Sequence, residues 1–274
     1  MLKLPALLGS HNILFMTLDT LRYDVAQQLF HQGRTPFLDQ LLPATGWEER
    51  HSPGSFTYAA HQAFFAGFLP TPARPGRHAR LFAARFPGSE TTTTDTFVFD
   101  APDIVSGLAR EGYHTICIGG VGFFNQQGPL GSVLPGLFQE SYWSPALGVT
   151  DPDSTAHQVE LACRVLAGQP AEQRIFLFMN VSALHQPNYF YLPTSQQHQR
   201  EDSLESHAAA LEYVDSQLPP LFHTLQERGP LLAIICGDHG TAYGEDGYSG
   251  HRLAHPVVWT VPYIECLLPA SKGA

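Results

Sequence analysis

Hydrophobic and polar positions along this chain alternate between two patterns. Near-continuous apolar runs occur at "NILFMTL" (12–18), "HTICIGG" (114–120), "RIFLFMNVS" (174–182), "LLAIICG" (231–237) and "TVPYIECLL" (260–268). Short unbroken runs of this kind predict strands buried on both faces. Between them, residues 102–110, 155–168 and 203–218 carry apolar positions at helical spacing. Gly112 and Gly168 are the expected stops of the first two helices, and Pro219-Pro220 predicts a break before "LFHTLQERG". The stretch "SPGSFTYAAHQAFFAGFLP" (52–70) predicts a loop opening into a short apolar helix, with Thr57 near its N-terminus. Strands alternating with helices imply an α/β fold. The expected architecture is a three-layer sandwich with a mostly parallel central sheet covered on both faces.

Two stretches break the rhythm. Residues 69–100 are rich in Pro and Arg, and residues 120–150 in Gly and aromatics. Both predict long loops at one end of the sheet, where loops of that length are commonly functional. Arg74, Arg77, Arg80 and Arg85 of the first would form an anion-attracting rim or a set of solvated charges. Tyr58, Phe64, Phe65, Phe123 and Phe124 are expected near the mouth of the site, most of them as core.

A length of 274 residues is enough for one large domain, taken as 1–274. No apolar run reaches the ~18 residues that cross a bilayer. The N-terminus lacks the core and cleavage site of a signal peptide, so a cytoplasmic location is expected. Cys117, Cys163, Cys236 and Cys266 are widely spaced with no paired motif, as in a reducing compartment. A net charge of −10 argues against nucleic acid or an anionic membrane surface as the main partner.

In open parallel sheets ligands bind beyond the carboxyl ends of the strands. Asp19 follows the first run, Asp238-His239 follows "LLAIICG", and His185 lies in the "ALHQPN" that follows "RIFLFMNVS". Asp19, Asp238 and His239 together offer two carboxylates and an imidazole, a set suited to Zn2+ or Mn2+. The Thr57 hydroxyl would complete the shell. Contact with the cation and the positive end of the helix would lower its pKa and make it a nucleophile, and the helix N–H groups would cradle an oxyanion. Singly, each of these residues reads as a helix cap; the joint pattern carries the inference.

The same segments resemble a known family. "NILFMTLDTLRYD" is similar to the opening strand and metal-binding Asp of the alkaline phosphatase superfamily, in its sulfatase-like branch. "TPFLDQLL" resembles the "TPNLDRLA" that follows there. "SFTYAAHQAFFAGFLP" resembles the nucleophile segment, "GDHGTAYGEDGYSGH" resembles "SDHGEAFGEHGxxGH", and "TVPY" matches the last core strand. The motifs come in family order across residues 12–264, and the chain resembles most a group of small bacterial sulfatase-like metal-dependent hydrolases. The resemblance implies an alkaline-phosphatase-like fold with Asp19, Asp238 and His239 as ligands and Thr57 as the cation-bound nucleophile. It implies that His185 and His251 bind a second metal or the substrate's anionic group, acting as acid at a near-neutral pKa. His61 would support the nucleophile loop, and Arg22 and Asp24 would pack around the site.

The departures from the family are informative. "TYAAH" lacks the Cys, Pro and Arg that a formylglycine sulfatase needs, and Thr nucleophiles in this superfamily belong mostly to phosphodiesterases, phosphonate hydrolases and phosphotransferases. The resemblance therefore implies phosphate-ester hydrolysis through a phosphothreonine. Transfer to an alcohol, sulfate-ester hydrolysis, an intramolecular mutase and a non-catalytic binding module are the alternatives. Thr20 stands where sulfatases carry a second Asp, and Val181 where two-metal members carry one. One or two ions are thus compatible with the chain, with Glu245 or Asp246 as substitute ligands for a second. The C-terminal subdomain of larger relatives is not expected.

Overall fold

Each apolar run forms a strand in the computed structural model of the protein, which describes residues 6–67, 103–196 and 200–271. In chain order the elements are β1 (Asn12–Leu18), α1 (Tyr23–His31), β2 (Glu48–His51), α2 (Thr57–Ala66), α3 (Ile104–Arg110), β3 (His114–Ile118), α4 (Pro129–Val133), β4 (Glu140–Tyr142) and α5 (Ser154–Ala167). They continue with β5 (Ile175–Val181), α6 (Leu204–Gln217), α7 (Pro219–Glu227), β6 (Leu231–Gly237), β7 (Ala242–Tyr243), β8 (Ser249–Gly250), α8 (Pro256–Trp259) and β9 (Thr260–Leu268). The break at Pro219 falls where proline forbids continuation, and that proline then opens α7 at its first position.

Seven strands form one sheet in the order β2-β9-β6-β1-β5-β3-β4. β6, β1, β5, β3 and β4 run parallel, β9 runs antiparallel to β6, and β2 antiparallel to β9. β1 is central, and its side chains alternate between two cores. Leu14, Met16 and Leu18 pack with α1, α5, α6 and α7 through Leu29, Leu166, Val214 and Phe222. Ile13 and Phe15 face the other way, with Phe176 and Phe178 of β5 and with Tyr58 and Phe65 of α2 and Leu108 of α3. That is the expected three-layer sandwich. Each fully buried Leu or Phe of these cores stabilises the fold by about 1.5–3 kcal/mol.

Three expectations change. Residues 120–150 are not a plain loop: they hold α4, the edge strand β4 and several short 3-10 turns. Gly120 lets this segment press on the sheet, since a Cβ there would lie 2.4 Å from the Asn180 carbonyl oxygen. The helix expected from 102 begins at Ile104, because the Asp103 carboxylate accepts from Ser106 N–H at 2.8 Å and caps it. β2, "EERH", is exposed along its whole length and is a strand only through its backbone pairing with β9. Residues 69–100, and with them Arg74, Arg77, Arg80 and Arg85, lie outside the described residues.

Candidate active site

Register builds the site. Leu18 is level with Gly237 of β6 on one side and Val181 of β5 on the other. The chain therefore delivers Asp19 and Asp238 side by side at the carboxyl edge, both fully buried. Asp238 Oδ1 accepts from Thr20 N–H at 3.1 Å and from its neighbour His239 N–H at 2.9 Å. Thr20 takes φ +65 to do so, a costly conformation for a β-branched residue. Gly240 allows the next turn, since a Cβ there would lie 1.9 Å from the Val257 carbonyl oxygen.

α2 brings the hydroxyl. Phe56 is extended, and Thr57 is the first helical residue, 2% exposed. Its Oγ1 lies 3.2 Å from Asp19 Oδ2 and 3.3 Å from His239 Nε2. His239 Nε2 is in turn 3.8 Å from Asp19 Oδ1 and 3.5 Å from Asp238 Oδ2. One turn along α2, the buried His61 bridges Thr57 O (Nδ1, 2.7 Å) and Thr17 Oγ1 (Nε2, 2.9 Å). It locks the helix start against β1, the supporting role expected of it.

The charges are frustrated. Burial and the neighbouring Asp19 charge hold the Asp238 carboxyl well above the usual carboxylate range. Burial also acts on Asp19, but His185, His239 and the Asn180 amide outweigh it and bring that carboxyl below its ordinary value. Burial lowers His239. Like charges this close cannot both ionise freely without a compensating cation. Asp19 Oδ1 and Asp238 Oδ2 are also buried without a hydrogen-bond partner, the two carboxylate oxygens among the described residues in that state. An unpaired buried carboxylate oxygen is expensive. The two oxygens and His239 Nε2 form a compact O,O,N donor set, and Asp19, Asp238 and His239 can place their ligand atoms within 4.8 Å of one another. The residues present fit a divalent cation.

His185 and His251 join the same site. The His251 ring lies 4.7 Å from that of His239 and 5.5 Å from that of His185. Both histidines wall a cavity of about 590 Å³ that opens onto Thr57. His185 Nδ1 donates to Gln186 O at 2.6 Å, which leaves Nε2 as its free ring nitrogen. The β7–β8 hairpin carries His251 back over the site, and its Nδ1 is buried without a partner. All six predicted residues, Asp19, Thr57, His185, Asp238, His239 and His251, therefore converge.

The sequence model of the sulfatase family matches residues 11–264. This chain belongs to the sulfatase family. No curated protein matches. Among solved structures the chain is similar to the C-terminal periplasmic domain of phosphoethanolamine transferase EptC from Campylobacter jejuni (13% identity, TM-score 0.62, 94% of this chain and 79% of that one). It is also similar to the C-terminal periplasmic domain of EcEptC from Escherichia coli in complex with Zn (14% identity, TM-score 0.61, 96% and 74%). A third is a protein in the alkaline phosphatase superfamily from Vibrio parahaemolyticus (16% identity, TM-score 0.57, 96% and 60%). At these identities the likeness shows the fold, which is alkaline-phosphatase-like.

Within this sulfatase-family chain some expectations are redirected. Glu245 is held by Arg22 and by Tyr243 N–H at 2.6 Å, and exposed Asp246 meets His255 Nε2 at 3.2 Å. Neither joins the three-ligand cluster. Burial, with His239 and His185 beside it, pushes His251 down to about 4. Arg22 is buried, while the Asp24 it pairs with is largely exposed. Asn180 is the residue that sequence reasoning missed. It is buried, level with Thr17, and its Nδ2 donates to Asp19 Oδ2 at 3.0 Å while its Oδ1 accepts from Val121 N–H at 3.0 Å. An amide inside the apolar run "RIFLFMNVS" was the available signal.

Proposed function

We propose that the protein is a divalent-cation-dependent hydrolase of phosphate esters, acting on a small molecule through Thr57 and a covalent phosphothreonine. Asp19, Asp238 and His239 would hold the cation, Zn2+ on the strength of the donor set, with Mn2+ the alternative. The EcEptC structure was solved in complex with Zn. When bound, such an ion lowers the pKa of a hydroxyl beside it and neutralises charge on phosphoryl oxygens. The observation that carries the reading is Thr57 Oγ1 at the first turn of α2, 3.2 Å from Asp19 Oδ2 and 3.3 Å from His239 Nε2, beside two orphaned carboxylate oxygens.

The residues divide the work. Thr57 Oγ1, its proton released to solvent, attacks phosphorus in line, and the free N–H groups of the first turn of α2 bind the equatorial oxygens as charge develops. His185 takes the acid role, handing a proton from Nε2 to the departing oxygen while its Nδ1–H stays on Gln186 O. His251, neutral, orients the anion by hydrogen bonding. Water then attacks the phosphothreonine, with His185 returning as base. A location in the cytoplasm is part of the proposal. Among the described residues no helix is long and apolar enough to cross a membrane.

The test is Thr57→Ala in the full chain. Metal analysis should find the variant loaded like wild type. Turnover of 4-nitrophenyl phosphate and bis(4-nitrophenyl) phosphate should fall by at least about 10³-fold. Wild-type turnover by the variant, or wild-type activity on 4-nitrophenyl sulfate alone, would overturn the reading.

A further inference from the structure

The cavity beside Thr57 has a charge pattern that the proposed reaction alone does not require. Thr57, His185, His251 and Arg252 line it together with the apolar Phe123, Leu130 and Val149. No carboxylate is among the described lining residues, in a chain whose net charge is −10. Arg252 is the described lining residue with a permanent charge. Among the described residues no carboxylate is paired with it.

Arg252 is also held in a specific and unfavourable way. Its φ is +68, in the left-handed region. The same loop uses Gly244, Gly247 and Gly250 at positive φ, yet keeps an arginine at 252. A side chain retained where glycine would relieve strain points to a use for that side chain. Arg252 N–H donates to Ser55 O at 2.8 Å, and the guanidinium carbon lies 5.5 Å from the centroid of the Phe56 ring. Backbone and side chain are thus both braced on the two residues that precede Thr57.

We propose that Arg252 selects the substrate by its anionic phosphoryl group, and that the remaining substituent of the ester is uncharged, seated against Phe123, Leu130 and Val149, rather than cationic. A guanidinium facing the phosphoryl group binds its oxygens through charge-assisted hydrogen bonds and repels an ammonium-bearing substituent. The described residues of the wall include no carboxylate to pair with such a cation. The proposal rests on the phosphate-ester reading and goes beyond it by naming the substrate class.

The test has a binding arm and a turnover arm on the zinc-loaded full chain. Calorimetry with inorganic phosphate should show affinity falling by about tenfold or more in Arg252→Gly, the loss of one charged contact. The variant's melting temperature should stay equal or rise, since glycine relieves the strained φ. Arg252→Lys should recover part of the affinity. In the turnover arm, bis(4-nitrophenyl) phosphate and 4-nitrophenyl phosphorylcholine share one phosphoryl charge and one leaving group. Wild type should prefer the first by about tenfold or more in kcat/KM. Arg252→Gly should narrow that preference, mainly through KM. Unchanged phosphate affinity in Arg252→Gly, a lowered melting temperature that accounts for its losses, or wild-type parity between the two esters would each overturn the selection. Undiminished turnover of both esters by Thr57→Ala would instead place the fault with the phosphate-ester reading.

Discussion

Two acidic clusters sit on one short stretch of chain and are treated in opposite ways. Around Arg22, itself 3% exposed, the charges are matched by the protein. Its guanidinium meets Asp24 at 2.9 and 2.5 Å, Glu245 and the Thr241 carbonyl. Around Asp19 they are not matched. Asp19 and Asp238 face each other across the sheet edge with one orphaned oxygen each, and among the described residues no arginine or lysine is bonded to either. The first cluster is complete as it stands and pins the 241–251 loop to the start of α1. The second presents a donor set, two carboxylates and an imidazole, that fits the cation proposed above.

The largest effect expected from this contrast comes from Asp238→Asn. It removes one of the two carboxylates proposed to hold the cation, and with it the repulsion between Asp238 and Asp19. Zinc content should drop below stoichiometric, and ester turnover should fall at least about 10³-fold. In chelator, the variant's melting temperature should match or exceed that of wild type, because an unfavourable pair is gone. A variant that lost activity but kept full zinc would show that Asp238 serves the reaction in some other way.

Next comes acid stability on the matched side. His207 is fully buried beside Arg22, accepts from Arg22 N–H at 3.4 Å, and lies 3.2 Å from the Tyr243 hydroxyl. Burial and the Arg22 charge push it down to about 4. The unfolded chain takes up the proton near the ordinary histidine value, the folded one only near 4. The stabilisation from keeping His207 neutral is therefore present above about pH 6.5 and is lost as pH falls towards 4, a total of roughly 3 kcal/mol. His61 and His251 act in the same direction. Denaturant titrations from pH 7 to 4.5 should show this slope, and His207→Gln should flatten it by one histidine's share. An unchanged slope would mean that His207 is wetter than its burial implies.

Arg22→Met should come third. It leaves Glu245 and Asp24 unpaired, but both keep water contact, with side chains 27% and 58% exposed. The expected loss is about 2 kcal/mol, or roughly 4–8 °C in melting temperature for a chain of this size. Zinc stoichiometry should be unaffected below the transition. Loss of zinc from the folded variant would break the distinction between the two clusters.

How legible this was depended on whether a residue's neighbours are written in its own segment. β1, β5 and β6 were readable because strands buried on both faces are nearly apolar throughout, β9 because most of its positions are apolar, and Asp19 and Asp238 stood out by following two of these runs. β2 was not readable: "EERH" is exposed at every position and owes its state to the backbone of β9. The structure inside 120–150 was hidden for a similar reason, since β4 is three residues long and exists through its pairing with β3. His251 could be placed by resemblance alone, because the hairpin that returns it has strands of only two residues. Arg252 gave no sequence signal, since its meaning lies in a positive φ and in contacts with Ser55 and Phe56.

The smallest expected effect concerns the residue joining the unmatched cluster to the cavity wall. Asn180 spends Nδ2 on Asp19 and Oδ1 on Val121 N–H, where the 120–131 segment leaves the sheet. As a positioning residue it aims Asp19 Oδ2 and anchors that segment with one rigid amide. Asn180→Ala removes these bonds and the one Nδ2 donates to Thr17 Oγ1 at 3.3 Å, and leaves the Val121 N–H in the buried interior without its acceptor. Zinc affinity should fall about tenfold, as for other residues that orient a ligand, with a stability loss of about 1–2 kcal/mol. The two parts separate by measurement. Aiming Asp19 affects zinc affinity, read by competition with a chelating dye, whereas anchoring Val121 affects the melting temperature and the KM for an ester that leans on Phe123. If zinc affinity held and only the latter pair moved, Asn180 would be a clip for the cavity wall, and the geometry of Asp19 would have to come from the strand register alone.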